Sequence, residues 1–312
     1  MRIHWKKTLF LASCFAAFAI PGSVTAASHA LVMTIAFYER GVSPLPEVEF
    51  DTGLAIEIAG RMGVPRENIT VRTDQQLTLS GMRAAMKSFF ERVQPGDQAF
   101  IYYSGHGSRE NNPKASTGCT ESIVTLRGEL LHDSEIEHWM RALAAKATQV
   151  VFMNDSCFSG GAVTRGLPTK GVRPKFHKAK GAKDCSQPVN VKSLFDRPED
   201  LPGNALYLAA SADSELSFTS PTGSVGTLAW RSCIERGNIT GEQLRACAQV
   251  HVDQQRRTPR QSITLLGKHE LAVAFGPAHA FSASSTVPAA PPRGPRGEPA
   301  NPGSKPPPNV IR

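Results

Sequence analysis

Two stretches decide the reading of this chain: Phe100-Ile101-Tyr102-Tyr103-Ser104-Gly105-His106-Gly107 and Val151-Phe152-Met153-Asn154-Asp155-Ser156-Cys157-Phe158-Ser159-Gly160-Gly161. Each begins as a short apolar run, as a buried strand does, and ends in small residues around one reactive side chain. A thiol nucleophile needs a base or electrostatic partner to hold its thiolate, and imidazole is the usual one. Glycines beside His106 and Cys157 allow another backbone to approach closely. Either residue alone reads as a structural loop histidine or an inert buried thiol. Together, just past two strands, they read as a nucleophilic pair.

Outward from these stretches the pattern alternates. Apolar runs predict strands at 30–37, 69–72, 99–103, 149–153, 205–210 and 263–266. Helical spacing predicts helices at 48–62, 79–93, 134–145 and 241–254, with Met82, Met86, Phe89, Phe90 and Val93 on one face of the second. Asp133 and Thr240 are the expected caps of the last two, and Glu135 and Glu137 suit the first turn of the third. Such alternation implies an α/β fold with a mostly parallel sheet covered on both faces. Active sites in these folds lie at the carboxyl ends of the strands.

Of 312 residues 40% are hydrophobic and 20% charged, which supplies a sizeable core and excludes a wholly disordered chain. Most of the net charge of +8 sits at the ends: Arg2, Lys6 and Lys7 at one, and Arg293, Arg296, Lys305 and Arg312 against Glu298 at the other, which leaves +2 for the body. The body is close to neutral and has no aromatic-basic stripe, so no nucleic-acid partner is expected.

Residues 1–26 read as an export signal: a basic start, an apolar run over 9–20, Pro21-Gly22, and a small-residue cleavage site at Val24-Thr25-Ala26. The run is too short for a permanent membrane span. Leu11-Ala12-Ser13-Cys14 resembles a lipobox, but the apolar run continues past Cys14, so a periplasmic or secreted protein is expected rather than a lipoprotein. Residues 27–275 form the expected folded domain. Residues 276–312 hold ten of the 23 prolines and no apolar period, and are expected to be an extended, disordered tail. Without Cys14, five cysteines remain, an odd number that suggests one free thiol. Cys157 is the expected free one. Cys233 with Cys247 and Cys119 with Cys185 are the expected pairs, against the alternative that all five stay reduced.

The motifs Tyr-Ser-Gly-His-Gly around His106 and Asp-Ser-Cys-x-Ser-Gly around Cys157 resemble the caspase-like cysteine peptidases, above all metacaspases and bacterial caspase-domain proteins. Gly96-Asp97-Gln98-Ala99-Phe100, Ala209-Ala210-Ser211-Ala212-Asp213 with Glu215, Gly226-Thr227 and Thr258-Pro259-Arg260-Gln261 fit the same family. The resemblance runs over about 31–266. It implies a three-layer sandwich with a mostly parallel six-stranded sheet and helices on both faces. It also implies that His106 and Cys157 form a catalytic dyad, with no third member assigned. The N–H groups of Gly107 and Cys157 would make the oxyanion hole. By the same resemblance Asp155, Asp51 and Ser104 line the primary pocket, where two carboxylates favour Arg or Lys and reject Asp. Read without the family, Asp155 could be a loop cap and Asp51 a helix N-cap.

The chain departs from the family in two places. Calcium-dependent metacaspases carry an acidic cluster near the helix that begins at Asp133; here Ser134 replaces one acid and Thr125-Leu126-Arg127 replaces Pro-x-Asp. An arginine where a hard cation needs oxygen is a poor start for a calcium site, so no cofactor is expected. The loop 162–203 after the nucleophile is long and basic, with Arg165, Lys170, Arg173, Lys175, Lys178, Lys180 and Lys183. It reads either as a solvated insertion or as an activation linker cut by the enzyme itself between 162 and 184, with the two pieces held together by one sheet. The expected partners are polypeptides with basic residues, and the expected state is a monomer. The competing classes are a non-catalytic caspase-fold binding protein and another His-Cys peptidase of the clostripain, gingipain or legumain kind.

Overall fold

A computed structural model describes residues 26–112, 119–157, 172–178, 201–212, 215–234, 239–255 and 260–275. All of them fall within the first of the two units into which the chain divides, residues 1–278. The expected export signal, the Pro-rich tail and most of the loop 162–203 lie outside the described residues.

The chain runs β1 (Ser28–Thr34), α1 (Glu49–Arg61), β2 (Ile69–Thr73), α2 (Leu79–Arg92), β3 (Gln98–Ser104), β4 (Gly107–Asn111), β5 (Cys119–Val124), β6 (Leu130–His132), α3 (Asp133–Ala144) and β7 (Gln149–Asp155). It continues through β8 (Ala205–Ala209), β9 (Thr219–Ser220), β10 (Gly223–Ser224), α4 (Val225–Cys233), α5 (Gly241–Asp253) and β11 (Thr264–Gly267). The main sheet has six strands in the order β11-β8-β7-β3-β1-β2. The first five strands of the chain in that sheet are parallel, and β11 closes the edge antiparallel to β8.

Successive side chains of a strand point to opposite faces, and here both faces are covered. Leu31, Met33, Ile101, Tyr103 and Phe152 pack with Met82, Met86 and Phe89 of α2 and Ile136 and Met140 of α3. Their neighbours Ala30, Val32, Phe100, Tyr102, Val151 and Met153 pack with Ala55 and Ile58 of α1, Trp230 of α4 and Leu244 and Ala248 of α5. Unbroken apolar runs, rather than alternating ones, are therefore what these strands need. The chain direction across the sheet reverses between β1 and β3. The cleft opens at the carboxyl ends of β1, β3 and β7, where Thr34, Ser104 and Asp155 lie side by side in register.

Three features differ from the pattern-based expectation. A second, antiparallel sheet β4-β5-β6 grows directly out of the His106 loop. Helix α4, which follows β10 without a break, had no distinct periodic signal. Asp133 does not cap α3 but is its first residue, after His132. Its carboxylate instead accepts the N–H of Glu121 at 3.2 Å and of Ser134 at 2.6 Å.

Cys233 and Cys247 form a disulfide that ties the end of α4 to the middle of α5. Cys119 is also disulfide-bonded, Cys185 lies outside the described residues, and Cys157 is free. A crosslink over a loop of this length, 14 positions, restricts the unfolded chain by about 3 kcal/mol in the chain-entropy picture. The paired replacement of Cys233 and Cys247 by serine should therefore lower the unfolding free energy of the oxidised protein by about 2–4 kcal/mol in urea titrations. A change under about 0.5 kcal/mol would assign the stability of this helix pair to packing alone.

Candidate active site

His106 sits where β3 ends and β4 begins, and two tyrosines hold its backbone there. Its N–H donates to the Tyr38 hydroxyl at 2.6 Å. The Tyr103 hydroxyl, 3.4 Å from that of Tyr38, is shared between the carbonyl oxygens of His106 (2.9 Å) and Val124 (3.0 Å). A Cβ on Gly105 would stand 2.5 Å from both hydroxyls, and one on Gly107 would stand 2.0 Å from the Cys157 carbonyl oxygen. The glycines flanking the histidine thus make room first for the protein's own groups.

The His106 ring lies 4.9 Å from that of Tyr38, with Nε2 at 2.8 Å from the Ser43 carbonyl oxygen. A carbonyl only accepts, so Nε2 carries the proton and Nδ1 is the basic nitrogen. Nδ1 is buried and has no hydrogen-bond partner among the described residues. Burial, partly offset by the Ser43 bond, holds the imidazole down to about 4. The Cys157 thiol is buried too, donates to the Ser217 carbonyl at 2.9 Å and accepts the Ser217 N–H at 2.6 Å. Burial pushes it up to about 12 against the pull of those bonds and of the Lys175 charge. Both members of the pair are therefore neutral in this state.

What buries them is the segment 172–178. Its main chain pairs with the protein like an added strand. Arg173 and Thr219 exchange bonds, the Arg173 N–H reaching the Thr219 hydroxyl at 3.0 Å and the Thr219 N–H reaching the Arg173 carbonyl at 2.9 Å. The Lys175 N–H donates to the Ser217 carbonyl at 3.0 Å. Beyond Lys175, the His177 N–H donates to the Gly107 carbonyl at 2.9 Å. The Lys175 carbonyl oxygen accepts from the N–H of Gly107 at 2.8 Å and of Cys157 at 3.3 Å. These are the two donors expected to form an oxyanion hole.

The Lys175 side chain is fully buried. Its ammonium has three hydrogens and three acceptors at 2.8 Å: Asp155 Oδ1, Ser104 Oγ and Ser224 Oγ. Asp155 also accepts from the Ser217 hydroxyl and, on Oδ2, from the N–H and hydroxyl of Thr227. Asp51 is not a helix cap; it lies inside α1, fully buried, and accepts from the Ser104 hydroxyl, the Ser224 hydroxyl and the Ser224 N–H. Burial pushes its carboxyl up to about 6, eased by the Lys175 ammonium. Asp51, Ser104 and Asp155, singled out from the sequence, thus converge on one lysine. Ser224, Thr227 and Ser217 complete the cavity; only Thr227 stood in a noted motif. Ser43 acts through its main-chain carbonyl and Ser217 holds the thiol through its main chain, and such groups leave no residue-type signature. Near α3, Glu121 is paired with Arg109 at 3.7 Å, and Arg127 is paired with Glu39 at 3.0 Å.

The family model described as caspase domain matches residues 27–262. Among curated proteins the chain is similar to three from Arabidopsis thaliana. It is 29% identical to metacaspase-6 over 41% of this chain and 37% of the relative. It is 32% identical to metacaspase-4 over 43% and 33%, and 30% identical to metacaspase-7 over 34% and 28%. The matches span only about a third of those proteins. A solved structure of a Geobacter sulfurreducens protein aligns with a TM-score of 0.54 at 17% identity, over 77% of this chain and 92% of that one, and so shares the fold.

With Lys175 seated, Cys157 has no exposure and its thiol stays protonated at neutral pH. Iodoacetamide at pH 7.5 should therefore alkylate Cys157 of the uncut protein at least about tenfold more slowly than after Lys175→Ala, which removes the ammonium from its cavity. Peptide mass spectrometry reads the two rates. Equal rates would mean that the segment is not what shields the thiol.

Proposed function

The chain belongs to the caspase-domain family of cysteine peptidases, and from that premise we propose that it is an endopeptidase of the metacaspase type cleaving after Lys or Arg. The observation that carries this reading is Lys175: its ammonium is saturated by Asp155, Ser104 and Ser224 while its carbonyl oxygen accepts from Gly107 and Cys157. A basic side chain in an acidic cavity and a carbonyl on two N–H donors are what a substrate of such an enzyme presents.

In this reading His106 Nδ1 takes the thiol proton and Cys157 Sγ bonds to the carbonyl carbon. The π pair moves to the oxygen, where the two N–H groups are aimed. As the C–N bond breaks, His106 returns the proton to the departing amine. Water, deprotonated by the same nitrogen, then hydrolyses the thioester and restores the thiol. Ser43 and the Tyr38–Tyr103 pair keep the imidazole in place without touching the substrate. Withdrawal of the segment admits water to the cleft and removes the burial that keeps both groups neutral.

Peptides ending in Lys or Arg should be cleaved, and Cys157→Ala or His106→Ala should abolish this, because the two act as a unit. Asp155→Asn should lower kcat/KM for such peptides about a hundredfold or more, since it removes the carboxylate in direct contact with a fully desolvated ammonium. An arginyl fluoromethylketone should label Cys157 and an aspartyl one should not. A folded protein labelled by neither would move the assignment to a non-catalytic caspase-fold binding protein.

The same reading includes self-processing. The expected cut within 162–184 narrows to the Lys175–Phe176 bond, because that peptide group lies in the cleft. Wild type should yield fragments ending at Lys175 and beginning at Phe176 by intact-mass measurement, and Cys157→Ala and Lys175→Ala should remain whole. Equal nicking in Cys157→Ala would assign the cut to other proteases. Export after residue 26, a monomeric state and polypeptide substrates complete the proposal. Among the described residues no helix is long and apolar enough to cross a membrane.

A further inference from the structure

Glu47 is a buried carboxylate that the chemistry above does not use. It lies in the short 3-10 turn Pro46–Val48 that leads into α1, one turn ahead of Asp51. Its side chain is 11% exposed, and its Oε2 has no hydrogen-bond partner among the described residues. The cation it meets belongs to the segment in the cleft: Arg173 Nε stands 3.3 Å from Oε2 and 3.4 Å from Oε1. We propose that Glu47 forms a second specificity subsite, which selects a basic residue two positions before the lysine or arginine at the cut.

The spacing of the two acids suits this. In an extended strand alternate residues share a side and lie about 6.6 Å apart. One helical turn advances about 5.4 Å. Glu47 and Asp51, four positions apart, therefore match Arg173 and Lys175, two positions apart. The intervening Pro174 falls where no donor is needed, because the N–H groups of Arg173 and Lys175 make the bonds to Thr219 and Ser217. The Arg173 main chain is fixed by both bonds to Thr219, so its side chain is presented to Glu47 and not left to find it. Once the segment leaves, Glu47 faces the cleft without that cation, so a substrate that restores a guanidinium there regains the charge-assisted contact and binds better than one that does not. The substrate class is then a chain of the form Arg-x-Lys or Arg-x-Arg rather than any chain with one basic residue. Arg173 itself is half exposed, which limits the gain to about tenfold.

This rests on the reading of Lys175 as the residue before the cut. The test uses self-cleaved full-length protein and peptides that end in Pro-Lys before a fluorogenic amide and differ only at the preceding position: arginine, norleucine or glutamate. Wild type should prefer arginine over norleucine by about tenfold in kcat/KM. Glu47→Gln should bring that ratio close to one, and Glu47→Arg should favour the glutamate peptide. A ratio unchanged in Glu47→Gln, or the same loss on all three peptides, overturns the subsite and leaves the peptidase standing. No cleavage of any of the three by wild type overturns the peptidase reading and the subsite with it.

Discussion

The buried ion pair between Asp155 and Lys175 organises this molecule. Both side chains are fully excluded from water at a separation of 2.8 Å. Taking one such charge from its partner leaves the other desolvated, at a cost of about 3–5 kcal/mol. Around this pair the structure gathers the hydroxyls of Ser104, Ser224, Ser217 and Thr227. Asp155 ends β7, Ser104 ends β3, Ser224 ends β10 and Thr227 lies in the first turn of α4. The pair therefore welds the carboxyl edge of the sheet to α4 through charge-assisted bonds, and packing alone would not set that register. Asp51 adds a second carboxylate, and it stays tolerable because burial raises its proton affinity while Lys175 lies close by.

Sequence legibility followed the kind of group that does the work. The core strands could be read because burial on both faces demands unbroken apolar runs, as at Phe100-Ile101-Tyr102-Tyr103 and Val150-Val151-Phe152-Met153. His106 and Cys157 could be named because each is one reactive side chain among small residues just past an apolar strand, whereas Asp155, Asp51 and Ser104 are pointed to only by the family resemblance, since an isolated acid or hydroxyl also suits a cap or a loop. Strands β4 to β6 were missed because Gly107-Ser108-Arg109-Glu110-Asn111 is polar and takes its burial from neighbours. Helix α4 was missed because nine residues give too little period to stand out. Ser43 toward His106 and Ser217 toward Cys157 contribute main-chain groups, which any residue could supply. Tyr38 lies far along the chain from the loop it clamps. Lys175 was one of seven candidates in its loop, and only the three-acceptor cavity distinguishes it.

The resting chemistry has the same origin. A cysteine and a histidine in contact with water would exchange a proton readily near neutral pH. Here the segment excludes water from both, and its removal of hydration outweighs every stabilising bond they make. In the peptidase reading, reactivity would then be governed by what occupies the cleft, through desolvation.

The path of the chain through the sheet has a further consequence. Strand β7 precedes Lys175, whereas β8 and β11 follow it, yet β8 pairs directly with β7 and β11 with β8. A cut at Lys175 converts one chain into two that share a single sheet. Before the cut, refolding is unimolecular and indifferent to dilution. Afterwards it is a bimolecular assembly whose midpoint depends on protein concentration. The loop closure that the connecting segment supplied is gone, and dilute fragments that separate have little chance of meeting again. Maturation would therefore leave the native contacts nearly as they were and change the reaction order of folding, so that a molecule once melted in a dilute compartment is lost for good.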